Sequence, residues 1–327
     1  MPLRKCRIFS TCPPSNKVPA ERYLREVVEV ARWSEAAGCE GILVYTDNGL
    51  VDPWLVAQVI LDHTESLSPL VAVQPAYMHP FSVAKMVTTL GLLHGRRVWM
   101  NLVAGGFRND LMALADETPH DRRYERLVEY AAIVQGLLEG DFYRTKALRL
   151  IPPLDADLLP GITISGSSEA GLEAARAIGA IAIQYPEPVE AYRGTPIASD
   201  LSLGIRIGIL ARDQAEQAWE LAHQRFPPDR AGQLAHQMAM KVSDSVWHQQ
   251  LSDLGARLSE DDPYWLVPFQ NYKTFCPYLV GSYDRVATEV RRYIELGYET
   301  FILDVPASPE ELEHIGVVFE RAAVRRQ

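Results

Sequence analysis

The order of apolar segments along the chain constrains its fold more than any other feature. Eight short runs rich in β-forming residues alternate with longer segments whose apolar residues recur at helical spacing. Neighbouring parallel strands need helical crossovers, and those helices cover the outside of the sheet. The pattern therefore predicts an α/β protein, a (β/α)8 TIM barrel with strands at Arg7–Ser10, Gly41–Thr46, Leu70–Gln74, Val98–Val103, Ile162–Ser165, Ala180–Gln184, Leu203–Leu210 and Thr300–Asp304.

The segments that follow the predicted strands supply the helices of this barrel. We expect them at Ala20–Ala37, Pro53–Ser66, Phe81–His94, Arg122–Glu139, Glu169–Ile178, Asp213–Arg225, Tyr283–Leu296 and Pro309–Ala323. The competing fold is an open dinucleotide-binding sheet, which usually shows G-x-G-x-x-G after its first strand, where this chain has Ser10-Thr-Cys-Pro-Pro-Ser15. A barrel can fill this whole length, so residues 1–327 are predicted to form one domain.

Three stretches are longer than ordinary loops, at residues 105–120, 140–159 and 226–279. We place them as insertions at the C-terminal face of the strands, where barrels build their substrate pockets. The stretch 226–279 combines a polar helical part with a dense run of aromatic residues from Tyr264 to Tyr278. It is predicted to be an inserted lid over a bound ligand, and packing against the barrel or a subunit interface are the alternatives.

Charge and cysteine usage exclude several classes of partner. The chain has 42 acidic and 32 basic residues and a net charge of -10, which disfavours nucleic acid because phosphate binding needs clustered Lys and Arg. Its 4 cysteines are irregularly spaced, which is typical of reduced thiols. No apolar run reaches the roughly 18 residues of a membrane span. We expect a soluble cytoplasmic protein without membrane or nucleic-acid partners.

Three kinds of catalytic site find little support. The 8 histidines form no H-x-H, H-x-x-x-H or H-E-x-x-H pattern, so no metal site is predicted. The turn Ile164-Ser-Gly-Ser-Ser168 lacks the G-x-S-x-G arrangement of a serine nucleophile. None of the lysines lies in a predicted strand, which disfavours a Schiff-base aldolase.

Polar residues at two strand ends and one helix start suggest where a ligand binds. The turn Ser165–Ser168 joins a buried strand to a helix, and its amides and hydroxyls can hold a phosphate, although either serine of the turn could be a plain helix N-cap. His120, Arg123 and Tyr124 lie at helical spacing and could face the same phosphate or simply solvent. Asn101 interrupts an apolar strand, and it needs a partner from a ligand or from neighbouring backbone.

Several motifs resemble, in this order, the bacterial luciferase-like flavin monooxygenases, and among them the alkanesulfonate monooxygenase branch. The resemblance runs from about residue 5 to residue 320 and rests on several motifs in register rather than on one. They are Thr46-Asp-Asn-Gly-Leu-Val-Asp-Pro-Trp54, Asn101-Leu-Val-Ala-Gly105, His120-Asp-Arg-Arg-Tyr-Glu125, Ser165-Gly-Ser-Ser168, Tyr185-Pro-Glu-Pro188, Gly204-Ile-Arg-Ile207, Leu279-Val-Gly-Ser282 and Tyr298-Glu-Thr-Phe-Ile-Leu303.

The resemblance implies a two-component enzyme that uses reduced FMN and O2. It implies an NAD(P)H-dependent flavin reductase as a partner, a small-molecule substrate, and a homo-oligomer, either dimer or tetramer. By position, the phosphate would be surrounded by His120, Tyr124, Gly166, Ser167 and Ser168. Asn101 would approach the ring or ribityl chain, Val73 would lie in the strand behind the ring, and Tyr185 would complete the cofactor site.

Departures from the sulfonate branch bear on the substrate. Polar or ionisable residues of that branch are replaced by Leu50, by Gly208 and by the run Val305–Ala307, and Arg206 alone is retained, which we take as the catalytic residue. A buried sulfonate needs several charge-assisted donors, so the substrate is expected to be more apolar, with oxygen inserted next to a heteroatom or a carbonyl. The predicted substrate-facing lid residues are Trp265, Tyr272 and Lys273.

Two other functions remain open at this stage. A deazaflavin-dependent oxidoreductase of the same superfamily would transfer hydride without oxygen. A catalytically silent relative would bind flavin without turnover, which the loss of polar residues also allows. For Arg206, a salt bridge to a loop carboxylate is the alternative to a catalytic role.

Overall fold

The eight predicted strands form one closed ring. A computed structural model describes residues 6–106, 108–141, 148–193, 200–240 and 262–323. The barrel strands are β1 Arg7–Thr11, β2 Gly41–Val44, β3 Ser68–Val73, β4 Trp99–Leu102, β5 Ile162–Ser165, β6 Ile181–Gln184, β7 Leu203–Arg212 and β10 Tyr298–Leu303. They run in the order β10-β1-β2-β3-β4-β5-β6-β7, and β7 pairs with β10 to close the barrel. The predicted TIM barrel is confirmed.

Helices follow the strands as the (β/α) pattern requires. They are α1 Ala20–Ala36, α2 Pro53–His63, α3 Pro80–His94, α4 Arg108–Ala113, α5 His120–Glu139, α6 Glu169–Ile178, α7 Ala215–Arg225, α8 Arg230–Met240, α9 Val267–Gln270, α10 Tyr283–Glu295 and α11 Pro309–Ala323. Single 3₁₀ turns occur at Ala156–Leu158 and Val189–Tyr192. The predicted bounds of α6 and α11 agree with the structure to the residue, and helix α2 ends three residues earlier than predicted, before the extended Thr64.

Besides the two 3₁₀ turns, two short helices and two short strands were not predicted. Helix α4 lies in the stretch 105–120, and helix α9 lies in the aromatic run of the lid segment. Strand β8, Tyr264–Trp265, pairs antiparallel with β9, Tyr278–Ser282, and β9 pairs parallel with the end of β7. These elements are two to six residues long, so they show no hydrophobic period, and their strands are set by pairing partners distant in sequence.

The predicted lid segment is described on both sides of residues 241–261, which lie outside the described residues. Its first part is helix α8, which begins one residue before the predicted polar helical part. Its second part holds β8 and α9 and leads into β9.

The chain divides into two compact units. The amino-terminal unit comprises Thr11–Ala182, and the carboxyl-terminal unit comprises Met1–Ser10 with Ile183–Gln327. One core cluster of the amino-terminal unit joins α1, β2 and α2 through residues such as Val27, Ile42 and Ile60. A core cluster of the carboxyl-terminal unit packs α7 on β7 and β9. Each fully buried aliphatic side chain contributes about 1.5–3 kcal/mol, so such clusters hold the strand ends in place.

Candidate functional site

The turn after β5 in the amino-terminal unit has a hydroxyl without a partner. Ser168 is the N-cap of helix α6, and its Oγ accepts a hydrogen bond from the amide of Gly171 at 3.2 Å. Oγ of Ser167 is buried, and the described part of the chain offers it no hydrogen-bond partner. A buried hydroxyl without a partner costs free energy unless a ligand supplies one. The helix N-terminus and Ser167 together form a site for an anion such as a phosphate.

Tyr124 closes this turn from the side. Its hydroxyl is hydrogen-bonded to Ser168, and a Cβ added at Gly166 would lie 2.5 Å from it, so only glycine fits there. Burial raises the pKa of Tyr124, which keeps its hydroxyl protonated and able to donate. The His120 ring meets Tyr124 edge to face, with ring centroids 5.2 Å apart, and its Nδ1 contacts Asp121 at 2.7 Å. The turn, Tyr124 and His120 thus form one cluster, called here the phosphate turn.

An ion pair supports the start of the helix that carries Tyr124. Arg126 donates to both carboxylate oxygens of Asp116, at 3.2 and 2.5 Å. Hydrogen bonds from Arg126 and Thr118 lower the pKa of Asp116 to about 2. Arg123, which is 2% exposed, donates to the Thr118 carbonyl rather than facing solvent.

The sequence analysis also singled out Asn101, which lies in the middle of a polar cross-strand cluster. Its Oδ1 accepts hydrogen bonds from Thr163 at 2.8 Å and from Ser165 at 3.0 Å, both on the neighbouring strand β5. The partners are therefore side chains, not the backbone that the alternative interpretation named. Neither bond uses the amide NH2 group, which can donate to a ligand.

Gln74, directly after β3, is a functional candidate that the sequence analysis did not single out. The side chain is 4% exposed, and no hydrogen-bond partner for its Nε2 exists among the described residues. A Cβ at Gly105 would lie 3.0 Å from Nε2, which places the amide against the loop after β4. Val73 precedes it in β3 and is buried. A polar residue at the carboxyl end of a barrel strand was the signal that could have found Gln74.

The loop after β2 meets helix α4 through a carboxylate. Oδ1 of Asp110 accepts hydrogen bonds from the Tyr77 hydroxyl and, at 2.9 Å, from the Asn48 amide. Burial and the nearby Asp110 raise the pKa of Tyr77, and burial raises the pKa of Asp47, which also lies near Asp110. Through Asp110, this cluster connects helix α4 with the loops after β2 and β3.

In the carboxyl-terminal unit, Arg206 lies beside a carboxylate. Its Nη2 is 4.0 Å from Oδ1 of Asp304, the residue directly after β10. The Tyr278 hydroxyl donates to Oδ2 of the same carboxylate at 2.7 Å. A Cβ added at Gly208 would lie 2.3 Å from the Tyr278 ring, so the ring occupies the space that a side chain at position 208 would need. Arg206, Tyr278 and Asp304 are called here the arginine cluster.

Two further groups border the arginine cluster. Burial, followed by the charge of Asp304, raises the pKa of the Cys276 thiol to about 12. Burial, together with the nearby Cys276 and Asp304, also raises the pKa of Tyr185. Both groups are therefore neutral at pH 7. The structure brings Tyr185, which the resemblance assigned to the cofactor, next to Asp304 and Cys276.

A buried ion pair shapes the loop after β10. Arg225 donates to Glu311 at 2.5 Å and to the Val305 carbonyl at 2.8 Å, and Glu311 accepts from the Ala307 amide at 2.7 Å. The Arg225 guanidinium also lies 6.0 Å from the centre of the Tyr278 ring. These contacts hold residues 305–307, where the sulfonate branch has polar groups, in one conformation.

The predicted lid residues have different surroundings. Trp265 is 8% exposed and packs edge to face on Trp219, His223 and Phe226, so it lies in the core cluster of α7, β7 and β9. Lys273 forms an ion pair with Asp229 at 2.6 Å. The Tyr272 ring contacts Phe275 and His236 of helix α8. Trp265 thus has the surroundings of the packing alternative, and Lys273 joins the two described parts of the lid segment.

In the described ranges, no three or more His, Cys, Asp or Glu side chains form a group that could hold a metal ion. No helix within those ranges is both long and apolar enough to cross a bilayer.

Fold and sequence comparisons define the class of this protein. The profile of the Luciferase-like monooxygenase family matches residues 6–300, and the chain belongs to this family. A relative from Niallia circulans, the 4-(gamma-L-glutamylamino)butanoyl-[BtrI acyl-carrier protein] monooxygenase BtrO, is 34% identical over 319 residues, which cover 92% of each chain.

Two solved structures share the fold. The long-chain alkane monooxygenase LadA has a TM-score of 0.69 and 18% identity, with 97% of this chain and 91% of that chain covered. DmoA from Hyphomicrobium sulfonivorans has a TM-score of 0.73 and 15% identity, with 97% of this chain and 86% of that chain covered. The family prediction is confirmed. The comparisons do not support the alkanesulfonate branch in particular, because the 34% identical relative acts on an acyl group linked to a carrier protein.

Proposed function

We propose that this protein is the oxygenase of a two-component flavin monooxygenase, which takes reduced FMN from a separate NAD(P)H-dependent reductase and uses O2 to oxygenate a small organic substrate. The phosphate turn is the observation that carries this proposal. It offers a buried hydroxyl without a protein partner, a glycine that leaves no space for a side chain, and a helix N-terminus. These donors fit the phosphate monoester of FMN.

The candidate site residues of the amino-terminal unit would each contact a different part of the flavin. Ser167, the amides at the start of α6 and the protonated Tyr124 hydroxyl would hold the phosphate, with His120 beside them. The free NH2 groups of Asn101 and Gln74 would donate to polar atoms of the ribityl chain or the ring, and Val73 would pack behind the ring. When bound, reduced flavin supplies the reaction with oxygen, and the protein orients the reactants and excludes water.

The substrate is proposed to be more apolar than a short alkanesulfonate and to be oxygenated next to a carbonyl or a heteroatom. Arg206 is the catalytic residue of this proposal, because it would contact the substrate close to the reacting atoms. BtrO acts on an acyl group that has a carbonyl and an amide. Its identity of 34% over nearly the whole chain makes an acyl or amide substrate a better starting point here than a sulfonate.

Anaerobic titration tests the cofactor. Purified protein is mixed with reduced FMN or with a reduced deazaflavin, and binding is followed by fluorescence and by retention on a desalting column. We expect saturable binding of reduced FMN at micromolar concentrations. No binding of FMN at high micromolar concentration would contradict the proposal, and tight binding of the deazaflavin alone would favour hydride transfer.

Turnover and assembly need separate measurements. With a flavin reductase and NADH present, oxygen consumption above the uncoupled background is expected for acyl and amide substrates, together with an oxygenated product by mass spectrometry. Oxygen consumption at the background rate for every substrate would instead indicate a silent flavin-binding relative. The expected homo-oligomer, dimer or tetramer, is checked by light scattering coupled to size-exclusion chromatography.

A further inference from the structure

The Tyr278 ring fills the space that a side chain at position 208 would occupy. The two residues pair in register between β7 and β9, and a Cβ at position 208 would be 2.3 Å from the Tyr278 ring. Any larger side chain at 208 would therefore need a smaller residue at 278. The sulfonate branch has a polar side chain at position 208. In this chain Tyr278 fills that space and supplies a hydroxyl of its own.

That hydroxyl places a carboxylate next to Arg206. Tyr278 donates to Oδ2 of Asp304 at 2.7 Å, which leaves Oδ1 to face Arg206 at 4.0 Å. This separation is too long for a direct hydrogen bond. Within the described residues, no hydrogen bond to Oδ1 is found, and the side chain of Asp304 keeps 13% of its surface exposed. An acceptor oxygen and a guanidinium thus stand side by side.

Charges of both signs meet in this region. Arg206 faces Asp304, and Arg225 pairs with Glu311, whose carboxylate also lies near Arg212. Because the Asp304 carboxylate already stands beside Arg206, a free sulfonate or carboxylate placed there would meet a like charge and recover less of its desolvation cost. The pair does suit a neutral group that has a donor and an acceptor close together.

We propose that Asp304, positioned by Tyr278, determines substrate specificity by recognising a substrate amide together with Arg206. The amide N–H would donate to Oδ1 of Asp304, and the amide carbonyl would accept from the guanidinium of Arg206. This inference rests on the proposed function, since it names the chemical group that the oxygenase holds. The amide of the BtrO substrate is the same kind of group.

A panel of probes with one apolar length tests the proposal. Octanamide, octanoate, octylamine and octane-1-sulfonate are titrated into the protein anaerobically, with and without reduced FMN, by calorimetry. We expect octanamide to bind at least tenfold more tightly than octane-1-sulfonate. Tighter binding of any charged probe than of octanamide would overturn the inference, and this outcome requires no variant.

Two variants separate charge at the site from charge in general. Asp304→Asn removes the negative charge that stands beside Arg206, so the ratio of amide to sulfonate affinity should fall at least tenfold. The matched control Asp213→Asn removes an exposed carboxylate of the same unit and should leave the ratio unchanged. An unchanged ratio in folded Asp304→Asn would overturn the inference.

Flavin binding in the same samples keeps the two hypotheses apart. Octanamide preference without binding of reduced FMN would contradict the proposed function alone. Binding of reduced FMN with a preference for the sulfonate would contradict the amide inference alone.

Discussion

The phosphate turn and the loop after β10 differ in how their polar groups find partners. In the phosphate turn, Oγ of Ser167 is buried without a partner among the described residues. In the loop after β10, the Glu311 carboxylate pairs with Arg225 and accepts a hydrogen bond from the Ala307 amide. The first region keeps a buried polar group for a ligand, whereas in the second region the protein itself supplies the partners. The comparison predicts that substitutions cost ligand affinity in the first region and protein stability in the second.

The largest loss of stability is expected when the ion pair of Arg225 with Glu311 is broken. Glu311→Ala leaves Arg225 partly buried without its carboxylate and removes the acceptor of the Ala307 amide. Breaking a buried pair in this way costs about 3–5 kcal/mol of unfolding free energy. Urea unfolding of the variant measures it, with Glu313→Ala on the same helix as the control. A loss below about 1 kcal/mol would show that the pair is not needed for stability.

A smaller loss is expected from filling the space at position 208. Gly208→Ala puts a methyl group against the Tyr278 ring, and overpacking of this kind costs about 1–3 kcal/mol. The double variant Gly208→Ala with Tyr278→Leu should recover part of that loss, because leucine vacates the ring position. Urea unfolding measures the stability. Equal stability of Gly208→Ala and the unaltered protein would show that the Tyr278 ring does not fill the space at position 208.

Ser167→Ala tests the phosphate turn, where the effect on ligand affinity should exceed the effect on stability. The hydroxyl has no protein partner in the described structure, so its removal should change the unfolding free energy by less than about 0.5 kcal/mol. The affinity for reduced FMN should fall about tenfold, which corresponds to about 1.4 kcal/mol. Ser82→Ala, an exposed site on α3, is the control. A stability loss with unchanged flavin affinity would reverse the assignment of this hydroxyl.

The smallest effect concerns pH and the support of the phosphate turn. The pKa of Asp116 is lowered in the folded protein from 3.8 to about 2. Its contribution to stability is therefore complete above pH 4 and is lost as the pH falls toward 2, because the unfolded chain binds the proton first. Between pH 5 and pH 2, the unfolding free energy of Asp116→Asn should therefore fall by about 1 kcal/mol less than that of the unaltered protein. Thermal unfolding between pH 2 and 5 checks it, and parallel profiles for both proteins would contradict it.

The predicted elements differ from the unpredicted ones in length and in the range of their contacts. Runs such as Ile162–Ser165 and Glu169–Ile178 are bounded correctly because burial on a strand or helix face repeats within a few residues. Strand β8 has only two residues and exists through its pairing with β9, in which Trp265 faces Tyr278 and Tyr264 faces Leu279. Local periodicity cannot report such a partner.

The candidate site residues also differ in whether their contacts are local or distant in sequence. Ser167 and Tyr124 belong to short motifs, and their contacts are made by a turn and a helix start. Gln74 and Asp304 follow buried strands, a signal that was present but not used. The fit between Gly208 and Tyr278 has no local signal, because the two residues are seventy positions apart in the chain.

The sequence by itself determined the barrel, its helices and the family, because hydrophobic period and short motifs are properties of neighbouring residues. Only the tertiary structure decided which polar atoms find partners. Trp265 is apolar core, Lys273 pairs with Asp229, and Asp304 stands between Tyr278 and Arg206. The physical reason is that burial and charge compensation depend on distances between strands, and those distances arise only when the barrel closes.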